Sequence, residues 1–204
     1  MIDKIIFWCI KKISSNMRSR KDDKMQLKKV LRGHTVMLRP MVEADLTTRA
    51  HWLLDSDIRE IVGMLERPTY SYQNALSDCY KWLSEKKNSG DFLWAIDVDG
   101  KLIGDITAHV FEYERRGEMF ILIGDKAFWG KGYAKEACSL VLDEIFKESE
   151  IYYMDTSINP GNNRSYSLAL SLGFAPAGTH TNGVKVLRVI KKAWLARRQA
   201  SMFS

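Results

Sequence analysis

Phe128-Trp129-Gly130-Lys131-Gly132-Tyr133-Ala134 is the stretch whose reading decides the fold. The apolar run Met119 to Ile123 leads into it, and a helical spacing leads out, with Ala134, Ala137, Cys138, Val141, Leu142, Ile145 and Phe146 every three or four residues. This order predicts a strand, a glycine-rich turn and a helix over 131–148. The first turn of a helix carries unpaired N–H donors at the positive end of its dipole and so attracts phosphate. Two glycines let a ligand reach the backbone with no Cβ in the way. The turn therefore suits the diphosphate of a cofactor. Taken alone, Gly-Lys-Gly fits equally well a turn that only packs helix against strand.

Upstream, Thr35-Val36-Met37-Leu38-Arg39-Pro40 reads as a first strand stopped by proline. Glu43 to Leu54 and Asp57 to Met64 read as helices and Pro68 to Ser71 as a loop. Tyr72 to Lys87 reads as a helix with Ala75, Cys79, Trp82 and Leu83 inward. Asp91 to Val98 and Lys101 to Phe111 are strands joined at Asp99-Gly100, a hairpin signal. Glu114 to Gly117 turns the chain into the run 118–124.

Downstream, a strand is expected over Ile151 to Ser157, followed by the turn Asn159-Pro160-Gly161. Asn162 suits the N-cap of a helix reaching Leu172, and Gly173 its left-handed end. Phe174 onward and Val184 to Ile190 make a closing hairpin at Asn182-Gly183. Hairpin strands first, then strand, helix and strand, describe a mixed α/β sheet with an antiparallel first half. A doubly wound dinucleotide fold would alternate from the start.

Composition bounds the function. The 204 residues suffice for one α/β domain, and no window approaches a membrane span. Cys9, Cys79 and Cys138 are odd in number and widely spaced, which points to a reduced, cytoplasmic protein without a disulfide framework. The four histidines form no metal motif. The net charge of +6 divides unevenly: residues 1–32 carry +7, the stretch from 185 on carries six basic residues and no acid, and 33–184 carry −7. An acidic body argues against a nucleic-acid groove and favours a cationic substrate. Residues 1–32 read as a basic extension, amphipathic over Ile2 to Ile13, ahead of one domain over 33–204. The extension suits peripheral membrane contact through residues 1–24, docking on a partner, or no structure of its own.

Two motifs bring a family into view. Trp129-Gly130-Lys131-Gly132-Tyr133-Ala134 resembles the acetyl-CoA signature Q/R-x-x-G-x-G/A of the GNAT superfamily of N-acetyltransferases. Trp in the first position is usual in its RimJ/RimL-like branch. Asn162-x-x-Ser165 with Leu172-Gly173-Phe174 resembles that branch's N-x-x-S…L-G-F helix at the expected spacing. Trp94-Ala95-Ile96, Leu102-Ile103-Gly104 and Trp194 also stand where relatives carry them, so the resemblance runs from about Gly33 to Trp194.

The resemblance implies a mostly antiparallel sheet flanked by helices and splayed at its two central strands. It implies acetyl-CoA as co-substrate, held by Trp129, Gly130, Lys131, Gly132, Tyr133, Ala134 and Asn162, with Ile121, Leu122 and Ile123 pairing the pantetheine arm as a third strand would. An amide of that strand would polarise the thioester carbonyl, and the amine would attack directly, with no acyl-enzyme. Many relatives place a tyrosine where Ala169 stands, so Ser165 is the candidate partner of the departing sulfur, with Tyr166 second and helix capping as its structural alternative. Glu118 is the candidate base, directly or through a water, or else an ordinary strand-end carboxylate. The glutamate that RimL-like enzymes carry in the last hairpin has no counterpart in Ala175 to Val184, where His180 is a remote substitute. The implied acceptor is a primary amine: a protein N-terminus, an amino sugar or nucleotide-linked amino sugar, a polyamine or an aminoglycoside. A homodimer and, in another class altogether, a non-catalytic acyl-CoA-binding or membrane-docking module also fit the sequence.

Overall fold

A computed structural model describes residues 29–64 and 70–200. The amphipathic stretch within residues 1–24 lies outside them, as do residues 68 and 69 of the expected loop at 68–71. No described helix is long and apolar enough to cross a membrane.

Among the described residues, eight strands form one sheet: β1 (Leu31–Arg32), β2 (Met37–Pro40), β3 (Phe92–Val98), β4 (Lys101–Phe111), β5 (Arg116–Ile123), β6 (Tyr153–Ile158), β7 (Ala175–Thr179) and β8 (Lys185–Ile190). Their spatial order is β1-β2-β3-β4-β5-β6-β8-β7, antiparallel throughout except between β5 and β6. Among the described residues, six helices cover it: α1 (Leu46–Trp52), α2 (Ser56–Ile61), α3 (Tyr72–Ser89), α4 (Tyr133–Glu148), α5 (Asn163–Ser171) and α6 (Lys191–Ala200). Side chains alternate across the pleat. Met119 accordingly joins the core under α4, α5 and α6, while Leu122 joins the core under α1, α2 and α3.

Local chemistry sets the element boundaries. Asp99 and Gly100 both take positive φ, as the two-residue hairpin requires. Ser71 caps α3 by accepting from the Asn74 amide at 3.2 Å, and Gly90 at φ 75 ends it. The first expected strand loses Thr35 and Val36 to a turn, closed by the Gly33 amide on the Val36 carbonyl (2.8 Å) and clamped by Glu136 of α4. The long helix expected from Glu43 is a 3-10 turn, Glu43–Asp45, that passes into α1. The closing hairpin is wider than a two-residue Asn-Gly turn, since the His180 amide bonds the Val184 carbonyl and that of Gly183 bonds His180. Leu31 and Arg32 pair with Leu38 and Met37, two residues ahead of Gly33. Helix α6 was not foreseen. Its buried Trp194 donates to Asp143 of α4 at 2.8 Å and ties the C-terminal end to the core.

The sheet opens at the only parallel neighbours among the described residues. Strand β5 meets β6 at Arg116↔Tyr153, Gly117↔Met154 and Glu118↔Asp155, and there the pairing stops. Both strands run on, β5 to Ile123 and β6 to Ile158, each still paired on its far side with β4 or β8. A wedge-shaped gap with two unpaired backbone edges results.

Candidate active site

The glycine turn stands at the wide end of this gap. Asp125 accepts from the Ala127 amide (3.0 Å) and shapes the 3-10 turn Lys126–Phe128. The Trp129 indole N–H then donates back to the Ile123 carbonyl at 2.7 Å and pins the turn to the end of β5. Gly130 and Gly132 take φ 74 and 88, in the left-handed region, so α4 begins at Tyr133 rather than at 131. A Cβ built on either glycine would meet no protein atom within 4 Å. Packing of helix on strand therefore does not require these glycines. They serve the turn's conformation and leave its outer face open to a ligand.

The first main-chain bond into α4 runs from Glu136 to the Gly132 carbonyl (3.1 Å), so the amides of Tyr133, Ala134 and Lys135 precede any intrahelical acceptor. Lys131 and Lys135 add positive charge, and the Arg164 guanidinium lies over the Trp129 ring at 4.0 Å. This open, cationic cradle of backbone donors fits a diphosphate.

Along the gap, the Gly124 amide bonds the Ile103 carbonyl at 2.9 Å. In an antiparallel pair the bonded positions alternate. Glu118, Phe120 and Leu122 therefore spend their main-chain groups on β4, and those of Met119, Ile121 and Ile123 face the gap. Of the three residues expected to pair with a pantetheine arm, Ile121 offers its backbone, Ile123 offers its amide because its carbonyl holds Trp129, and Leu122 lines the cleft.

The gap holds two adjoining cavities, about 260 Å³ at the turn and about 650 Å³ at its inner end. They share Ile61, Ile121, Leu122, Asn162, Ser165 and Leu168. Asn162 caps α5 by accepting from the Ser165 amide at 3.0 Å. The cap uses the Ser165 backbone, and the residue lines both cavities. Ala169, a turn further on, is buried and lines the larger one. Tyr166 points instead to the hydrophobic core and Lys185.

Glu118 sits at the last paired position of β5, outside the residues that line the cavities, and its carboxylate is held by Arg116 at 2.6 Å. Beside it in register are His109, bonded to Asp91, and Asp155, bonded twice by Arg188 at 2.8 Å. His180 lies in the exposed final turn.

Cys138 lines the larger cavity at 1% exposure, and burial pushes its thiol up to about 12. Cys79 is buried as well, and burial raises its thiol although Arg49 opposes this. Neither is a thiolate at neutral pH, so neither is suited to carry an acyl group.

The far wall of the larger cavity holds residues that sequence patterns did not single out. Arg49 of α1 bonds Asp105 of β4 at 3.0 Å, both about 5% exposed, and its guanidinium lies 3.7 Å from the Trp82 ring centre. Burial raises the Asp105 carboxyl above its usual range while Arg49 pulls it back. The signal was present in Ile103-Gly104-Asp105-Ile106, a lone carboxylate in an apolar strand. Its partner is 56 residues away.

The acetyltransferase (GNAT) domain model matches residues 35–175. The chain is 33% identical over 115 residues to the Bacillus subtilis (strain 168) protein YkkB, a match spanning 56% of this chain and 59% of that one. It is 27% identical over 147 residues to the spermidine N(1)-acetyltransferase of Escherichia coli (strain K12), covering 72% and 76% of the two chains. The solved aminoglycoside acetyltransferase AAC(6')-Ib in complex with coenzyme A superposes with a TM-score of 0.68 at 23% identity, over 80% of this chain and 99% of that one. RimL, a ribosomal alpha-N-protein acetyltransferase, likewise with coenzyme A, gives 0.67 at 12% identity over 79% and 98%. The family model covers most of the chain and the solved structures share its fold: the chain belongs to the GNAT family of acetyl-CoA-dependent N-acetyltransferases.

Proposed function

We propose that the chain passes an acetyl group directly to the amino terminus of a protein or a comparable primary amine, with donor and acceptor held together in the gap between β5 and β6. The observation that carries this is the continuity of the gap. It runs from the glycine turn, along the unpaired edge of Ile121 and Ile123, to the cavity walled by Arg49 and Trp82. Bound acetyl-CoA would supply an activated thioester, and no residue need become acylated.

The amides of 130–135 would hold the diphosphate, and the edge of β5 the pantetheine arm. A gap-facing amide, that of Met119 or Ile121, would hydrogen-bond the carbonyl as negative charge develops on its oxygen. The Ser165 hydroxyl would donate to the departing sulfur. Glu118, whose carboxylate is held by Arg116, would accept the ammonium proton through a water. Apolar surroundings ease that step, because they lower the pKa of an ammonium. Protein N-termini come first among acceptors on the likeness of Trp129, Asn162 and Ser165 to the RimJ/RimL-like branch. The spermidine and aminoglycoside enzymes among the relatives and structural neighbours keep small amines in view.

The test is transfer from labelled acetyl-CoA to a panel of N-terminal peptides, polyamines and amino sugars. At least one acetylated amine is expected, with Glu118→Gln and Ser165→Ala each slowing its formation. Tight acetyl-CoA binding with no amine acetylated would reject the proposal in favour of a binding module.

A further inference from the structure

We infer that the acceptor is a primary amine with one positive charge set next to an apolar group, and not a polycation. The inference rests on the larger cavity being the acceptor's side of the gap.

Its outer half is walled by Leu53, Ile61, Val62, Met64, Trp82 and Phe120. The charged side chains on its wall cancel: Arg49, Lys81 and Lys86 against Asp78, Glu85 and Asp105. Most are engaged. Asp105 is taken by Arg49 and Lys86 by Asp91 at 2.8 Å, and Asp78 accepts from the Tyr70 hydroxyl at 2.7 Å. The ring face of Trp82, which could have received a cation, already carries Arg49. The acidity of the body of the sequence is thus not gathered at this cavity among the described residues.

The energetics follow. A single ammonium entering this gap is deprotonated before attack, so its charge is not carried into the apolar site. Each further ammonium of a polyamine or aminoglycoside stays charged and needs its own carboxylate, since burying an unpaired charge is strongly unfavourable. An apolar substituent instead gains by leaving water, worth about tenfold or more in binding for one well-buried side chain. Two sources share this chemistry: a peptide with an apolar first residue, and a small amine on an apolar scaffold.

The experiment compares kcat/KM of the full chain for a peptide with N-terminal Leu, the same peptide with N-terminal Asp, phenethylamine, spermidine and kanamycin. The Leu peptide or phenethylamine should exceed spermidine and kanamycin by at least about tenfold, and whichever of the two is faster identifies the source. Phe120→Ala removes a ring that is 43% exposed, so folding tolerates its loss. It should shrink that ratio several-fold while acetyl-CoA affinity holds. An unchanged ratio in Phe120→Ala, or spermidine or kanamycin matching the Leu peptide, overturns the inference while acetyl transfer stands. Silence of every amine with acetyl-CoA bound overturns both.

Discussion

The two ends of the gap recognise by different means. At the glycine turn the work falls to backbone: amides ahead of Glu136, two residues in left-handed conformation, and no side chain that packs on either. At the Arg49–Trp82 end it falls to side chains brought together from α1, α3 and β4. A backbone site constrains which residues can occupy a few consecutive positions, so it leaves a local signature. A side-chain site is assembled from distant positions, each of which looks ordinary alone. On the proposed function, donor recognition would thereby follow from local geometry, while the acceptor end would be free to differ between chains with the same sheet.

Substitutions at the two ends should therefore fail differently. The largest loss is expected for Arg49→Ala, which strands Asp105 in the core and should lower stability by about 3–5 kcal/mol in urea unfolding. Replacing the pair with Arg49→Met and Asp105→Leu should recover most of it. If the single and double variants were equally unstable, the pair would not be the organising contact of that wall. Next comes Gly132→Val. It forces a β-branched residue to φ 88 and puts methyls in the cradle, and acetyl-CoA affinity by calorimetry should fall about 100-fold, roughly 2.7 kcal/mol. Stability should fall by only about 1–2 kcal/mol. A variant that binds normally would separate the turn from the diphosphate. Ser165→Ala is expected to cut kcat about tenfold, the worth of one hydrogen bond to a charged group, with acetyl-CoA affinity unchanged because the helix cap uses the backbone.

The smallest effect concerns the clamp between α4 and the turn before β2. Burial works to raise the Glu136 carboxyl, but hydrogen bonds from the Thr35 hydroxyl and amide outweigh it and hold the group below its ordinary 4.5. A lowered carboxyl stabilises the fold above its ordinary value, and that contribution fades as pH falls through the native one. Glu136→Gln should therefore cost about 1 kcal/mol at pH 7 and progressively less as pH falls below 4.5. Unfolding measured from pH 7 downward checks it; a difference that does not change with pH would point to packing rather than charge.

What was legible follows the same division. Asp99-Gly100, Gly130, Gly132, Asn162 and Gly173 each demand a local conformation, and each stands where its type predicts. The order of hairpins ahead of strand, helix and strand carried the topology. The opening of the gap was not legible from the residues, because it depends on where pairing between β5 and β6 stops. Nor were contacts across 56 residues for Arg49–Asp105 and 101 for Thr35–Glu136, or the seat of Trp52 against Gly124, where any Cβ would meet the indole. Helix α6 escaped because its apolar residues Ala193, Trp194, Leu195 and Ala196 form one short run between basic pairs, with no helical spacing to read. The pairing of Glu118 could have been read: Arg116 lies two residues before it on one strand, hence on the same face.

The central claim is that donor and acceptor occupy the gap together and that no residue of the chain carries the acetyl group. Initial rates measured while acetyl-CoA and the amine are varied against each other test it most directly. Intersecting double-reciprocal lines, with no acetylated protein by mass spectrometry when the amine is left out, are the result predicted. Parallel lines together with an acetyl adduct on Cys138 or Ser165 would contradict it.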